Sequence, residues 1–243
     1  MSYVLIIGAK SDIAKAVARR YAKEGYNLYL AARKSSALEE LANDIKIRTQ
    51  KDVKCVELDI LDYASHSVFY DELEEKPLGV ISAVGYLGEQ NKAQSDFDEA
   101  RKIIDTNYTG VVSLINIIAD DFEMRESGFI VGISSVAGDR GRKKNYIYGS
   151  AKAALTAYLS GLRNRLYKAN VHVLTVKPGF VATRMTEGME LPEKLTAQPE
   201  EVADDIYKAQ QKRNNILYSK WVWRWVMLII NAIPEWKFKK TSI

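Results

Sequence analysis

The sequence predicts an α/β protein built on a doubly wound parallel sheet in a single domain. Two observations carry that expectation. Short β-branched apolar runs alternate with longer stretches of helical periodicity, and the first run passes through a tight turn at Gly8 into a helix. Strands separated by crossover helices pair in parallel, with right-handed connections and helices on both sheet faces.

Each element has its own signature. Residues 3–8 read as a buried strand, and residues 12–24 as a helix with Ile13, Val17 and Tyr21 at helical spacing and Gly25 past its end. Residues 27–32 form a second strand and 35–49 a second helix. Strands follow at 53–57, 79–83, 129–133 and 171–176, with helices at 63–75, 97–124 and 148–169 between them. No internal repeat or low-complexity linker divides the chain. Residues 1–218 make the expected domain, and 219–243 a C-terminal segment of the same unit. Ligands are expected beyond the carboxyl ends of the strands.

Composition excludes several classes. With 47% hydrophobic and 27% charged residues among 243, 14 Gly and only 5 Pro, the chain is neither disordered nor collagenous. The single Cys55 cannot form an internal disulfide, and with only His66 and His172 beside it no metal site is expected. His66 is read as lying on a surface helix, His172 at a strand start and Cys55 as core filling. The first residues run directly into the apolar strand without a basic leader, which points to the cytoplasm. From Ser219 onward Lys220, Arg224, Lys237, Lys239 and Lys240 face Glu235 alone, a balance of +4 that equals the net charge of the whole chain. The remainder is neutral overall, so no nucleic-acid partner is expected.

The turn Gly8-Ala-Lys10-Ser11-Asp12-Ile13-Ala14 joins a strand to a helix N-terminus, an arrangement that presents backbone N–H groups and the positive end of the helix dipole to a pyrophosphate. Only the first of three expected glycines is present. Asp12 brings a carboxylate towards that anion, although it can also cap the helix. After the second strand no acid stands ready for a ribose 2′-OH; Arg33 suits a 2′-phosphate instead, which favours NADP(H) over NAD(H).

Tyr148 and Lys152 lie four apart on one helical face, and of fourteen tyrosines only Tyr148 has Lys at i+4. An ammonium beside the phenol is expected to lower the phenol's pKa towards the working range. Ser135 ends a strand twelve residues before Tyr148, where its hydroxyl can orient a carbonyl oxygen. Tyr146, without Lys at i+4, is read as a pocket-lining residue.

In combination these residues resemble the short-chain dehydrogenase/reductase family across residues 3–218, and with it a Rossmann-type doubly wound sheet. The resemblance implies hydride transfer between nicotinamide C4 and a carbonyl carbon. Tyr148 is then the acid/base, Lys152 holds the nicotinamide ribose and tunes Tyr148, and Ser135 holds the carbonyl. Asn107 matches the asparagine that holds a water on the lysine. Asp59, with Ile60, corresponds to the adenine-contacting acid. Ala83 and Gly85 lie in Ser82-Ala-Val-Gly85, which departs from the family's Asn-Asn-Ala-Gly at three of four places. Pro178, Gly179, Val181 and Thr183 match the loop that binds the nicotinamide carboxamide. The helices at 97–124 and 148–169 match those that build subunit contacts in the family, so a homo-oligomer is expected.

A narrower resemblance, from Ser134 to Lys152, from Lys177 to Met185 and along the tail, is to decaprenyl-phosphoryl-2-keto-erythro-pentose reductases. It implies a lipid-linked keto sugar as substrate; a 3-ketoacyl thioester reductase and a non-catalytic dinucleotide sensor are the alternatives. Arg140, Arg142, Lys143 and Lys144 stand between Ser135 and Tyr148, either as cations at the pocket mouth for a phosphorylated substrate or as a solvated charged loop. The apolar stretch 221–233 contains Arg224 and Asn231 and is too short to span a bilayer. It suits peripheral membrane contact. Its nearly all-round apolar character favours burial within the protomer or an oligomer.

Overall fold

The computed structural model describes residues 2–241. Strands β1 (Tyr3–Ile7) and β2 (Asn27–Ala32) flank α1 (Asp12–Lys23), α2 (Glu39–Thr49) leads to β3 (Val53–Glu57), and α3 (His66–Asp71) to β4 (Gly79–Ser82). Helices α4 (Gln90–Ala93), α5 (Phe97–Ile104) and α6 (Gly110–Met124) precede β5 (Phe129–Ile133), α7 (Tyr146–Leu166) and β6 (His172–Pro178). A two-stranded ladder of β7 (Phe180–Val181) and β8 (Thr196–Ala197) comes next. The chain then runs through α8 (Pro199–Gln211), β9 (Ile216–Ser219), α9 (Val222–Ala232) and α10 (Glu235–Phe238).

The seven-stranded sheet has the order β3-β2-β1-β4-β5-β6-β9, and every pairing in it is parallel. Strand order reverses between β1 and β4, and a crevice opens there because successive crossovers leave to opposite faces. Alternation along β1 divides the core: Val4 and Ile6 pack under α1, α2 and α8 with Val17, Tyr21, Ile45 and Ile206. Leu5 and Ile7 pack under α6 and α7 with Leu114, Ile118, Phe122 and Leu159.

Several boundaries differ from the sequence expectation. Residues 97–124 are one continuous helical path, but a π-helical turn, Asp105–Thr109, interrupts it and carries buried Asn107. Helix α7 starts at Tyr146, so Tyr148 sits in its first turn. His66 is not on the surface: it is fully buried at the start of α3, its Nδ1 2.9 Å from Ser113 Oγ. The polar flank of α3 made its apolar contacts with α6 hard to read. Cys55 is only half-buried, and burial pushes its thiol up to about 11, which keeps it unreactive.

Packing is close where α7 crosses β5. A methyl added at Gly132 would lie 2.3 Å from Leu159 Cδ1, so the strand carries no side chain there and the leucine fills the space. Leu159→Ala is expected to cost about 3 kcal/mol, within the ~2–5 kcal/mol of buried leucine truncations. Urea unfolding will show this as a lower midpoint with an unchanged slope.

Candidate active site

Two adjoining cavities of about 320 and 380 Å³ lie along the crevice between β1 and β4 and share Ser11, Ala83, Val84, Gly85 and Arg184. The first holds Ser135, Tyr148 and Lys152, together with Asp12, Ile13, Pro178, Gly179, Val181 and Thr183. The second holds Gly8, Lys10, Arg33, Asp59 and Ile60. Every cofactor-binding position expected from the sequence therefore lines one continuous groove. Tyr146 does not; it is exposed, its hydroxyl 3.5 Å from Gln94 Oε1.

The groove fits a dinucleotide. Gly8 has φ +77°, and a Cβ there would come within 3.0 Å of the Ala83 carbonyl and the Val84 nitrogen, closing the turn. Ser11, not Asp12, caps α1: its Oγ accepts from Ala14 N at 3.2 Å. Asp12 has a different partner. It accepts from Arg184 N at 2.9 Å and pairs with Arg184 Nε at 3.3 Å, while the Arg184 guanidinium donates to Lys10 O at 2.6 Å. The carboxylate that looked hostile to a pyrophosphate is thus countered by a cation from across the groove. In the second cavity Arg33 extends into solvent 4.0 Å from Asp59, and Glu57 takes the backbone N–H groups of Lys34 and Ser35 at 2.6 and 2.7 Å. Glu57 thus occupies this turn's amides.

Tyr148 and Lys152 project from one face of α7 towards the ends of β4 and β5. Lys152 Nζ donates to Val84 O at 3.2 Å and Ile133 O at 3.0 Å. Ser134 Oγ donates to Lys152 O at 2.9 Å and lies 2.8 Å from Thr156 Oγ1, locking the helix to the strand end. Asn107 donates to Ile103 O at 2.8 Å and Tyr86 O at 2.7 Å and accepts from Tyr86 N at 3.2 Å, which fixes the loop after Gly85. A Cβ at Gly85 would lie 3.7 Å from Asn107 Oδ1 and 3.9 Å from Lys152 Nζ, so the two groups converge there.

The electrostatics correct one expectation. Burial of the phenol pushes Tyr148 up to about 12, opposed only by its hydrogen bond with Ser135. Burial lowers Lys152 to about 7. Desolvation is the dominant influence on both groups, and it moves the phenol opposite to the direction expected from the neighbouring amine.

The basic loop is also different from its expected role. Arg140 turns away from the pocket: it donates to Ile230 O and Ile233 O at 2.6 Å, meets Glu235 at 2.9 Å and lies over the Phe238 ring. Arg142 reaches Met227 Sδ at 3.1 Å. Only Lys143 and Lys144 stay exposed. Two arginines of the loop thus fasten the C-terminal segment, which a local reading of charge could not reveal. Asp139, buried against Lys177 at 2.6 Å and Tyr218 at 2.9 Å, anchors the same loop to β6 and β9. Trp223 packs behind the pocket wall, and a Cβ at Gly179 would strike its indole at 1.9 Å. Sequence reasoning missed Arg184, Ser134, Asp139 and Trp223; the first adjoins the expected Thr183, but its partner is 172 positions away.

Comparison with known proteins agrees with this geometry. Residues 2–194 match the short chain dehydrogenase family model, and the chain belongs to that family of oxidoreductases. An uncharacterized oxidoreductase of Mycobacterium tuberculosis is 35% identical over 240 residues, covering 98% of this chain and 96% of its own. An NADP-dependent 3-hydroxy acid dehydrogenase of Schizosaccharomyces pombe is 28% identical over 229 residues, 88% of each chain. A short-chain dehydrogenase from Sphingobium yanoikuyae, solved in complex with NADPH, superposes with TM-score 0.84 at 25% identity over 97% of both chains.

The buried amine gives a pH signature. The cost of burying its charge is full below about pH 7 and fades as pH climbs towards the ordinary lysine value of about 10.4. In that window the unfolded chain holds a proton the folded chain lacks, so stability rises with pH by up to about 1.4 kcal/mol per unit. Tyr148 is neutral in both states below about pH 10 and adds nothing to this slope. Lys152→Met is expected to flatten the rise in urea-derived stability between about pH 7 and 10; equal slopes in the two proteins would refute a titrating buried amine.

Proposed function

We propose that the protein is an NADP(H)-dependent reductase of a keto group on a sugar, carried on a polyprenyl phosphate. The observation that carries the catalytic part is the convergence of Ser135, Tyr148 and Lys152 in one cavity continuous with the groove of Gly8 and Arg33. When bound, the dinucleotide supplies a hydride from its nicotinamide. Ser135, hydrogen-bonded to Tyr148, orients the carbonyl oxygen, and Tyr148 delivers the proton that the oxygen takes up. Lys152 holds the nicotinamide ribose. An amine poised near neutrality becomes fully cationic beside added negative charge, and as a cation it lowers the cost of phenolate. Asn107, converging with Lys152 at Gly85, holds the water that returns protons to Tyr148 through the lysine.

Arg33 supports the preference for NADP(H): it faces the second cavity with a solvated guanidinium suited to a 2′-phosphate. The sugar and lipid parts rest on the residue pattern of 134–152 and 177–185, and Lys143 and Lys144 are the loop cations left for a phosphate. The 3-hydroxy acid dehydrogenase relative favours one competing substrate, a 3-oxo acid or thioester.

NADPH oxidation with a panel of keto sugars and 3-oxo thioesters tests the reading. Tyr148→Phe should lower kcat on the accepted ketone by about 10²-fold or more, and equal turnover by both proteins would remove Tyr148 from catalysis. Arg33→Ala should weaken NADPH binding by about tenfold or more and leave NADH nearly unchanged, as read by fluorescence titration. Equal losses for both dinucleotides would assign Arg33 another role.

A further inference from the structure

Helix α9 shows two faces. Trp223, Met227 and Ile230 are buried against Val136, with Phe180, Leu195 and Tyr218 packed alongside. The opposite face, which would be polar on an ordinary surface helix, carries Trp225, Leu228 and Ile229, continued by Trp221 one residue before the helix; Trp236, in α10, is exposed as well. These five are 56%, 58%, 67%, 73% and 66% exposed, respectively. At about 100° per residue, Trp221, Trp225, Leu228, Ile229 and Ala232 fall within one arc, with Arg224 and Asn231 together along one edge. Within this chain, α9 is therefore buried on one side.

The charges of this segment are of one sign but for a single acid. Lys220, Arg224, Lys237, Lys239 and Lys240 have no ion-pair partner among the described residues, and the single acid, Glu235, is taken by Arg140 at 2.9 Å. The face is also rigidly held: Arg140 ties down the carbonyls at the end of the helix, and the Trp223 indole donates to Leu195 O at 3.0 Å. An eleven-residue helix is about 16 Å long, half of a bilayer's ~30 Å core, and no helix among the described residues is long and apolar enough to cross a membrane.

We propose that the outward face of α9, with Trp236 and the flanking lysines, docks on an anionic lipid surface. Indole rings and long cationic side chains both gain at the headgroup boundary, where an apolar face is buried and the charges meet lipid phosphates. A second copy of this chain is a poorer occupant. A two-fold contact through this face would set the segment's cations against each other, with no free acid within the segment to answer them. Because Trp223 on the same helix lies directly behind Gly179, docking brings the bilayer within one helix of the pocket wall. The inference rests on this surface and holds whichever carbonyl the pocket reduces.

The test is co-sedimentation of the full-length protein with phosphatidylcholine vesicles, with and without phosphatidylglycerol, at low and high salt. The wild type should partition onto phosphatidylglycerol vesicles about tenfold more than onto phosphatidylcholine alone, with the excess lost at high salt. The variant Trp221→Ser/Trp225→Ser/Ile229→Ser should lose about tenfold in partitioning while keeping the wild-type circular dichroism, since all three side chains face solvent. Wild-type partitioning indifferent to phosphatidylglycerol overturns the proposal without recourse to the variant. So does light scattering that shows a dimer separated by the triple substitution, with no vesicle binding.

Discussion

The arrangement depends on one buried amine. Lys152 reaches from α7 to the carbonyls of Val84 and Ile133, at the ends of two neighbouring strands, and so pins the helix to the sheet where the crevice opens. Desolvation makes that position costly for a charge, and the same desolvation lets the group respond to whatever enters the groove. Ser134 reinforces the link through Lys152 O and Thr156, and the π-turn brings Asn107 to the same point. Removing water from this corner raises Tyr148 and lowers Lys152 together.

The departures from the usual glycine turn acquire a reason in three dimensions. Asp12 stands where a small residue was expected, and Arg184 crosses the groove to meet it. The pair joins the first turn of α1 to the segment after β7, so the strand-end loops on the two sides of the crevice are held together. A similar economy operates at the other wall. Loop residues between Ser135 and Tyr148 are anchored on one side by Asp139 to Lys177 and Tyr218, and on the other by Arg140 to the end of α9. The substrate side of the pocket and the C-terminal segment are therefore one mechanical unit.

Much of this was legible in order along the chain. Alternating apolar runs placed β1 to β6, because a strand buried on both faces needs consecutive β-branched residues. Gly8, Arg33, Ser135, Tyr148 and Lys152 were identified from local pattern and Asp59 from the family resemblance, and all of them line the groove. Helix α8 and strand β9 escaped notice, although Gln198, Pro199 and Glu201 form a helix start with a capping box. His66 escaped because its burial comes from α6, more than forty residues away.

The parallel sheet, the strand-turn-helix cradle and the Tyr148–Lys152 pair follow from the order of residues, since each depends on backbone periodicity or on neighbours within a few residues. Only the packed chain shows that Asp12 pairs with Arg184, that Arg140 and Arg142 serve α9 and not the pocket, and that burial shifts both Tyr148 and Lys152. Those outcomes depend on which distant groups share a dry space, and Coulomb attraction and desolvation act across that space without regard to separation along the chain.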